Sequence, residues 1–360
     1  MNGLITAVVL GAGASYCYED GLAPIPMQNG LLERLFFGAD TSSGEGFPSF
    51  VGPTGPQHSY VLGRLLRKKF GIPEDSTRPN AKMDFWPELH RRGYTLETLY
   101  AELEADAEAT ALGVLPDFEA IVRTAVETPT KDRSESAVCR HHRALCEALE
   151  PGDYIVNFNW DTLMADALLR HSHFWFPLTG FGVPVLGTLL RPSQKSHNVP
   201  SLVTLLHVHG SVILFEPEDT RLSRGSLYVG PQQWSATTGL PSLLGVDPRS
   251  KGSGSAPLAS QDDEKLGQGW VIVDKKWFRP LFVPPSRYTK ELDHWYVSAT
   301  RIYLHSRLPG TKHFIIAGYS FPPADTEHLR RLFVPDVLRP DLRLSVINPS
   351  NQDAAFQSRV

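Results

Sequence analysis

Cysteine is scarce in this chain. Its 360 residues hold three, Cys17, Cys139 and Cys146. So low and odd a number argues against a disulfide framework and favours a reducing compartment, so a cytoplasmic protein is expected. Three thiols are also too few for a four-cysteine zinc ribbon. Long apolar runs are missing as well, and nothing approaches the about 18 consecutive apolar residues of a membrane span. The opening residues lack the basic start of a secretory signal and run straight into glycines, so they read as a first strand. Charge of one sign is absent too. Lys and Arg number 35 against 39 Asp and Glu, a formal net charge of −4, which offers no global field to nucleic acid or an anionic membrane. The local run Arg64, Arg67, Lys68 and Lys69 fits the solvated face of a helix.

What is present is ordinary in bulk and informative in pattern. Hydrophobic residues make up 41% and charged residues 21%, as in a globular protein, and the length suits one large domain or two smaller ones. Residues 4–10, 153–158, 202–207, 314–317 and 342–347 are short apolar runs of the kind a parallel sheet buries on both faces. Residues 271–273 and 281–283 read as further short strands. Helical spacing is expected at residues 29–37, 162–169 and 289–304, and again after Pro322-Pro323. This alternation predicts an α/β fold with a doubly wound, mainly parallel, Rossmann-like sheet. Residues 59–149 carry helical spacing throughout and read as an inserted helical subdomain of a single domain spanning 1–360. Residues 217–268, rich in Gly, Ser and acidic residues, read as a flexible insertion or lid.

Ligands of such folds bind outside the carboxyl ends of the strands. Gly11, Asn159, His209, Gly318 and Asn348 all fall at or just past those ends. In Gly11-Ala12-Gly13-Ala14-Ser15 the glycines permit a tight turn whose amides can approach a phosphate, with the Ser15 hydroxyl as a further donor. Tyr16 stands where the dinucleotide fingerprint would place a third glycine. Asn159 can orient a ribose hydroxyl or a water, and Asp161 either holds that loop or caps the next helix. His209 can relay a proton, but His207 shares its strand parity, and parity alone does not choose between them. Cys139, His142 and Cys146 share a helical face without an evident fourth ligand, so no metal is assigned.

Taken in order, these segments resemble the sirtuin superfamily. Gly11-Ala12-Gly13-Ala14-Ser15 looks like its Gly-Ala-Gly-x-Ser phosphate loop, and Asn159-Trp160-Asp161 like the Asn-Ile-Asp of its catalytic loop. His209-Gly210 resembles the catalytic His-Gly, Gly318-Tyr319-Ser320 the Gly-x-Ser at ribose and phosphates, and Ile347-Asn348 the Ile-Asn beside the adenosine ribose. Phe158 to Leu163, Leu206 to Ser211, Val283-Pro284-Pro285 and Gly318 to Asp325 are closer to a bacterial sirtuin-like branch of NAD hydrolases in anti-phage defence. Deacylases carry a four-cysteine zinc module between the His and the later Gly-x-Ser, whereas residues 210–317 here contain no cysteine. His207 stands where many members of that branch carry Lys.

The resemblance implies an NAD glycohydrolase that releases nicotinamide and ADP-ribose, with NAD as substrate and no metal. Asn159, His209 and Asp161 would be its catalytic residues. Gly11, Ala12, Gly13, Ser15, Gly318, Ser320 and Asn348 would bind the dinucleotide. It also implies gating, by a homo-oligomer or by a partner in trans such as a HerA-type ATPase or a short Argonaute, since no sizeable sensor domain follows Asn348. NAD-dependent protein deacylation and non-catalytic sensing of NAD or ADP-ribose stand as alternatives. A dehydrogenase gives no reason for the later motifs.

Overall fold

The computed structural model of the chain describes residues 4–16, 65–66, 68–71, 89, 91–115, 118–119, 122, 126, 139–183, 185–188, 200–218, 227–229, 271–273, 276–282, 294–319, 329–330 and 339–347. The expected helices at 29–37 and after Pro323 lie outside these residues, as do Ser320, Asn348 and most of 217–268.

Five strands form an all-parallel sheet: β1 (Ile5–Leu10), β2 (Tyr154–Asn157), β4 (Thr204–His207), β9 (Thr311–Ala317) and β10 (Arg343–Ile347). Their order is β10-β9-β1-β2-β4. The register aligns their carboxyl ends, with Leu10 opposite both Asn157 and Ala317, Asn157 opposite His207, and Ala317 opposite Ile347.

Side-chain parity explains the burial of β1, β2 and β4. At the sheet edge, β10 is exposed rather than buried on both faces as 342–347 was expected to be, with Leu344 49% and Ile347 62% exposed. Val8, Leu10, Ile155 and Leu205 face one apolar cluster, while Ala7, Val9, Tyr154, Val156 and Leu206 face another. A strand that is apolar at both parities needs cover on both faces. The first cluster is closed by Leu96, Leu99, Tyr100 and Leu103, which repeat at the spacing of one helical face. Their helix, Leu96–Ala105, starts where Thr95 and Thr98 cap each other reciprocally. Met164 and Leu168 of the helix Leu163–His171 join them. The second cluster is closed by Leu304, from the helix Trp295–Arg307, and Leu308. Helices thus cover both faces of a parallel sheet, which is the doubly wound arrangement. Within 59–149, every regular element among the described residues is helical.

A second sheet is the main departure from expectation. Strands β3 (Val185–Thr188), β5 (Gly210–Pro217), β6 (Leu227–Val229), β7 (Val271–Val273) and β8 (Lys276–Phe282) form it, in the order β3-β6-β5-β8-β7. All its pairings but β3 with β6 are antiparallel. Residues 271–273 and 281–282 belong here rather than to the parallel sheet. Short apolar runs mark burial without saying which sheet a strand joins, and β5 follows β4 after only Val208 and His209. Gly210, at φ 74, takes a backbone conformation that side chains disfavour and lets the chain pass from one sheet to the other.

Candidate active site

Strand order reverses between β1 and β9, because the chain builds outward through β2 and β4 before returning to β9 on the other side of β1. Such a reversal opens a crevice at the carboxyl edge of an α/β sheet. Gly11 to Ser15, Phe158 to Asp161, Val208 to His209 and Gly318 to Tyr319 all follow strands at this edge.

Three glycines bring the turns after β1 and β9 into backbone contact. A Cβ on Gly11 would lie 2.4 Å from Tyr319 Cδ2 and 2.8 Å from the Gly318 oxygen, and one on Gly13 would lie 2.9 Å from that same oxygen. Gly318, at φ 62, is more constrained still, since a Cβ there would stand 2.1 Å from the Ala14 nitrogen. Gly11 N–H donates to the Ala317 oxygen (3.1 Å) and Gly13 N–H to the Gly318 oxygen (2.8 Å). The amides expected to meet a phosphate at Gly11 and Gly13 are therefore already bonded to the neighbouring turn. These two glycines contribute shape, through close backbone approach.

One hydrogen-bonded chain joins this loop to the one after β2. Asn159 Nδ2 donates to the Gly11 oxygen and to Ser15 Oγ, both at 2.9 Å. Ser15 Oγ in turn donates to Asp161 Oδ2 at 2.7 Å. The other carboxylate oxygen, Oδ1, accepts the Leu163 amide at 2.9 Å, at the first residue of the following helix. Asp161 thus holds the loop through Ser15 and accepts the first amide of the helix, whose N-cap position belongs to Thr162. Ser15 and Asp161 are each 2% exposed, so this link lies beneath the surface. With both hydrogens of its amide group taken, Asn159 retains Oδ1 as the group to offer a ligand.

The main chain of the β2 loop is held as firmly. Asn159 N–H donates to Asn157 Oδ1 at 3.0 Å, and the Asn159 oxygen lies 3.2 Å from His207 Nδ1. The Trp160 oxygen accepts from Ser211 Oγ at 2.9 Å and from Val212 N–H at 3.1 Å, both on β5. The second sheet therefore anchors the loop that carries Asn159. Pattern reading gave no role to Ser211 or Tyr319, and it noted His207 only as sharing the parity of His209.

The two histidines separate in the structure. His207 ends β4 with no exposed surface, its ring 6.1 Å from that of Phe181. His209, 6% exposed, meets the Phe158 ring edge-on at 5.3 Å, and Phe158 packs against Tyr319 at 4.6 Å. Burial pushes both imidazoles down to about 4, so both are neutral near pH 7.

Cys139, His142 and Cys146 do not converge on an ion site. Cys139 packs against Leu163, while Cys146 lies in the main core, where burial pushes its thiol up to about 12. Among the described residues no group of three or more His, Cys, Asp or Glu side chains is placed to hold a metal, and no helix is long and apolar enough to cross a membrane. No protein-family model matches the chain, and no curated protein matches it.

Proposed function

We propose that the protein hydrolyses the N-glycosidic bond between nicotinamide and ribose in NAD, on a sirtuin-like version of the doubly wound fold. The observation that carries this reading is the chain from Gly11 through Asn159 and Ser15 to Asp161. It joins two of the segments that resemble sirtuin motifs, at the switch point where α/β sheets bind nucleotides. The resemblance supplies both the substrate and the residue roles, and the chemistry of the side chains is compatible with them.

In this reaction nicotinamide leaves with the bonding electron pair, and positive charge develops on the ribose. Water forms the new bond at the anomeric carbon and gives up a proton, so the products are nicotinamide, ADP-ribose and a proton. The enzyme's work is to position and stabilise. Asn159 Oδ1 would accept a hydrogen bond from a ribose hydroxyl or the attacking water. By the resemblance to the catalytic His, His209 would take the proton; it is neutral near pH 7, and the burial that keeps it so also lowers its basicity. Asp161 acts through Ser15 and the Leu163 amide to keep Asn159 in place. Gly11, Ala12, Gly13 and Gly318 would shape the pyrophosphate end, with Ser320 and Asn348 at the riboses. NAD depletion in anti-phage defence, gated by self-assembly or by a partner in trans, belongs to the same proposal.

The test is nicotinamide release from NAD by the purified chain, alone and with cell extract as a source of activator. Asn159→Ala and His209→Ala should each reduce turnover by about 10²-fold or more while the variants stay folded, with a lowered unfolding midpoint from the lost loop hydrogen bonds and ring packing. Wild-type turnover in both variants would overturn the assignment. Tight ADP-ribose binding with no turnover in any condition would favour a sensor instead.

A further inference from the structure

His207 takes no part in the reaction just described, yet it is a buried polar side chain in contact with the residue that does. Its Nδ1 lies 3.2 Å from the Asn159 oxygen and 3.5 Å from Asn157 Nδ2. Its Nε2 is buried and has no hydrogen-bond partner among the described residues. A neutral imidazole carries one proton. With the proton on Nε2, two lone pairs would face each other across the contact to Asn159, and a donor would be buried unmatched. With the proton on Nδ1, the ring donates to the Asn159 carbonyl at 3.2 Å, and what it gives up is the longer 3.5 Å contact from Asn157 Nδ2, an amide nitrogen that can only donate, together with a partner for the Nε2 acceptor. Asn157 Oδ1 holds the Asn159 amide from the other side. The ends of two adjacent strands, paired in register at Asn157 and His207, thus grip both main-chain groups of one residue.

We propose that His207 is a positioning residue, whose Nδ1–H clamps the Asn159 carbonyl and so sets where the Asn159 side chain presents Oδ1. The inference rests on Asn159 acting at the NAD site. It assigns His207 no contact with substrate and no proton transfer. The shorter of the two Nδ1 contacts, to the Asn159 oxygen, favours this tautomer, and Nε2 carries no function of its own.

The geometry predicts different fates for different substitutions. Asn places an amide nitrogen as many bonds from the backbone as Nδ1, whereas Gln places its polar atoms at the distance of Nε2, and Phe fills the volume with neither. His207→Asn should keep kcat for nicotinamide release within about five-fold of wild type, while His207→Gln and His207→Phe should lose about 10²-fold in kcat with KM little changed, as expected for a misplaced reacting group. Equal kcat in wild type and a folded His207→Phe, with Asn159→Ala inactive, overturns the clamp and leaves the glycohydrolase reading standing. Wild-type activity in Asn159→Ala removes that reading instead. A second measurement needs no turnover and no folded variant beyond His207→Asn, which serves to assign the signal. Nitrogen-15 histidine spectra of the wild-type chain should show His207 as the Nδ1–H tautomer, unchanged between about pH 5.5 and 8. An Nε2–H tautomer, or titration within that range, overturns the proposal.

Discussion

At the scale of single residues, the site is built from side chains whose partners lie far off in sequence. Asn159 and Ser15 are 144 positions apart, and Ser15 and Asp161 are 146 apart. The spacing of Asn159 and Asp161 after an apolar run was legible, because a strand end followed by polar residues is a local signal. The Ser15 hydroxyl read equally well as a phosphate donor, and only folding shows it between Asn159 and Asp161. His207 and His209 were likewise inseparable by parity, and their surroundings separate them. Both also make stability depend on pH. Their folded-state values of about 4 lie below the ordinary 6.5, so as pH falls the unfolded chain takes up these protons first. Their contribution is complete above about pH 6.5 and is lost as pH falls towards 4, with a full loss on the order of 3 kcal/mol for each imidazole. Urea denaturation at a series of pH values should show this decline, and His207→Asn should remove about half of it. A flat profile between pH 7 and 4.5 would contradict the burial of both rings.

At the scale of elements, the turns after β1 and β9 behave as one unit, because glycine lets their backbones touch. Gly11 and Gly13 stood out in sequence as a phosphate-loop pattern, yet their amides bond to Ala317 and Gly318. A glycine chosen for a close ligand and one chosen for a close backbone look the same in a single sequence, since both require only the lack of a Cβ. Gly318→Ala tests the contact. Its Cβ would stand 2.1 Å from the Ala14 nitrogen at φ 62, so the β1 turn must move. A loss of about 2 kcal/mol or more is expected, together with weakened ADP-ribose binding. Gly113→Ala is the control: φ 64 carries the same backbone strain, but nothing lies within 4 Å of the added carbon. Equal effects of the two substitutions would show that backbone strain alone matters and that the two turns do not depend on each other.

At the scale of the whole molecule, two sheets meet around the candidate site, and a buried carboxylate ties the second to the helical cover. Glu216, at the end of β5, accepts from Arg279 Nε (2.6 Å) and from Trp295 Nε1 (2.8 Å), with His294 at 3.6 Å. Burial pushes its carboxyl up, but His294, Arg279 and Trp295 outweigh that and hold it at about 2. Glu216→Leu should cost about 1–2 kcal/mol, chiefly by leaving the Trp295 N–H without an acceptor, since Arg279 is exposed enough to regain water. Glu216→Gln, which keeps an acceptor for Trp295, should recover much of the loss in thermal unfolding. Equal losses in both would place the stabilisation in the charge.

By itself the sequence determined the parallel sheet and the edge where the candidate site residues gather. Strands apolar at both parities must be covered on both faces, and polar residues directly after them must fall at one edge, so both conclusions follow from local pattern. The sheet that each short strand joins, the partner of Ser15 and the separate surroundings of His207 and His209 were decided only by the tertiary structure. Each of these depends on which distant backbone comes within 3 Å, and that is set by the closing of the whole chain around its two apolar clusters.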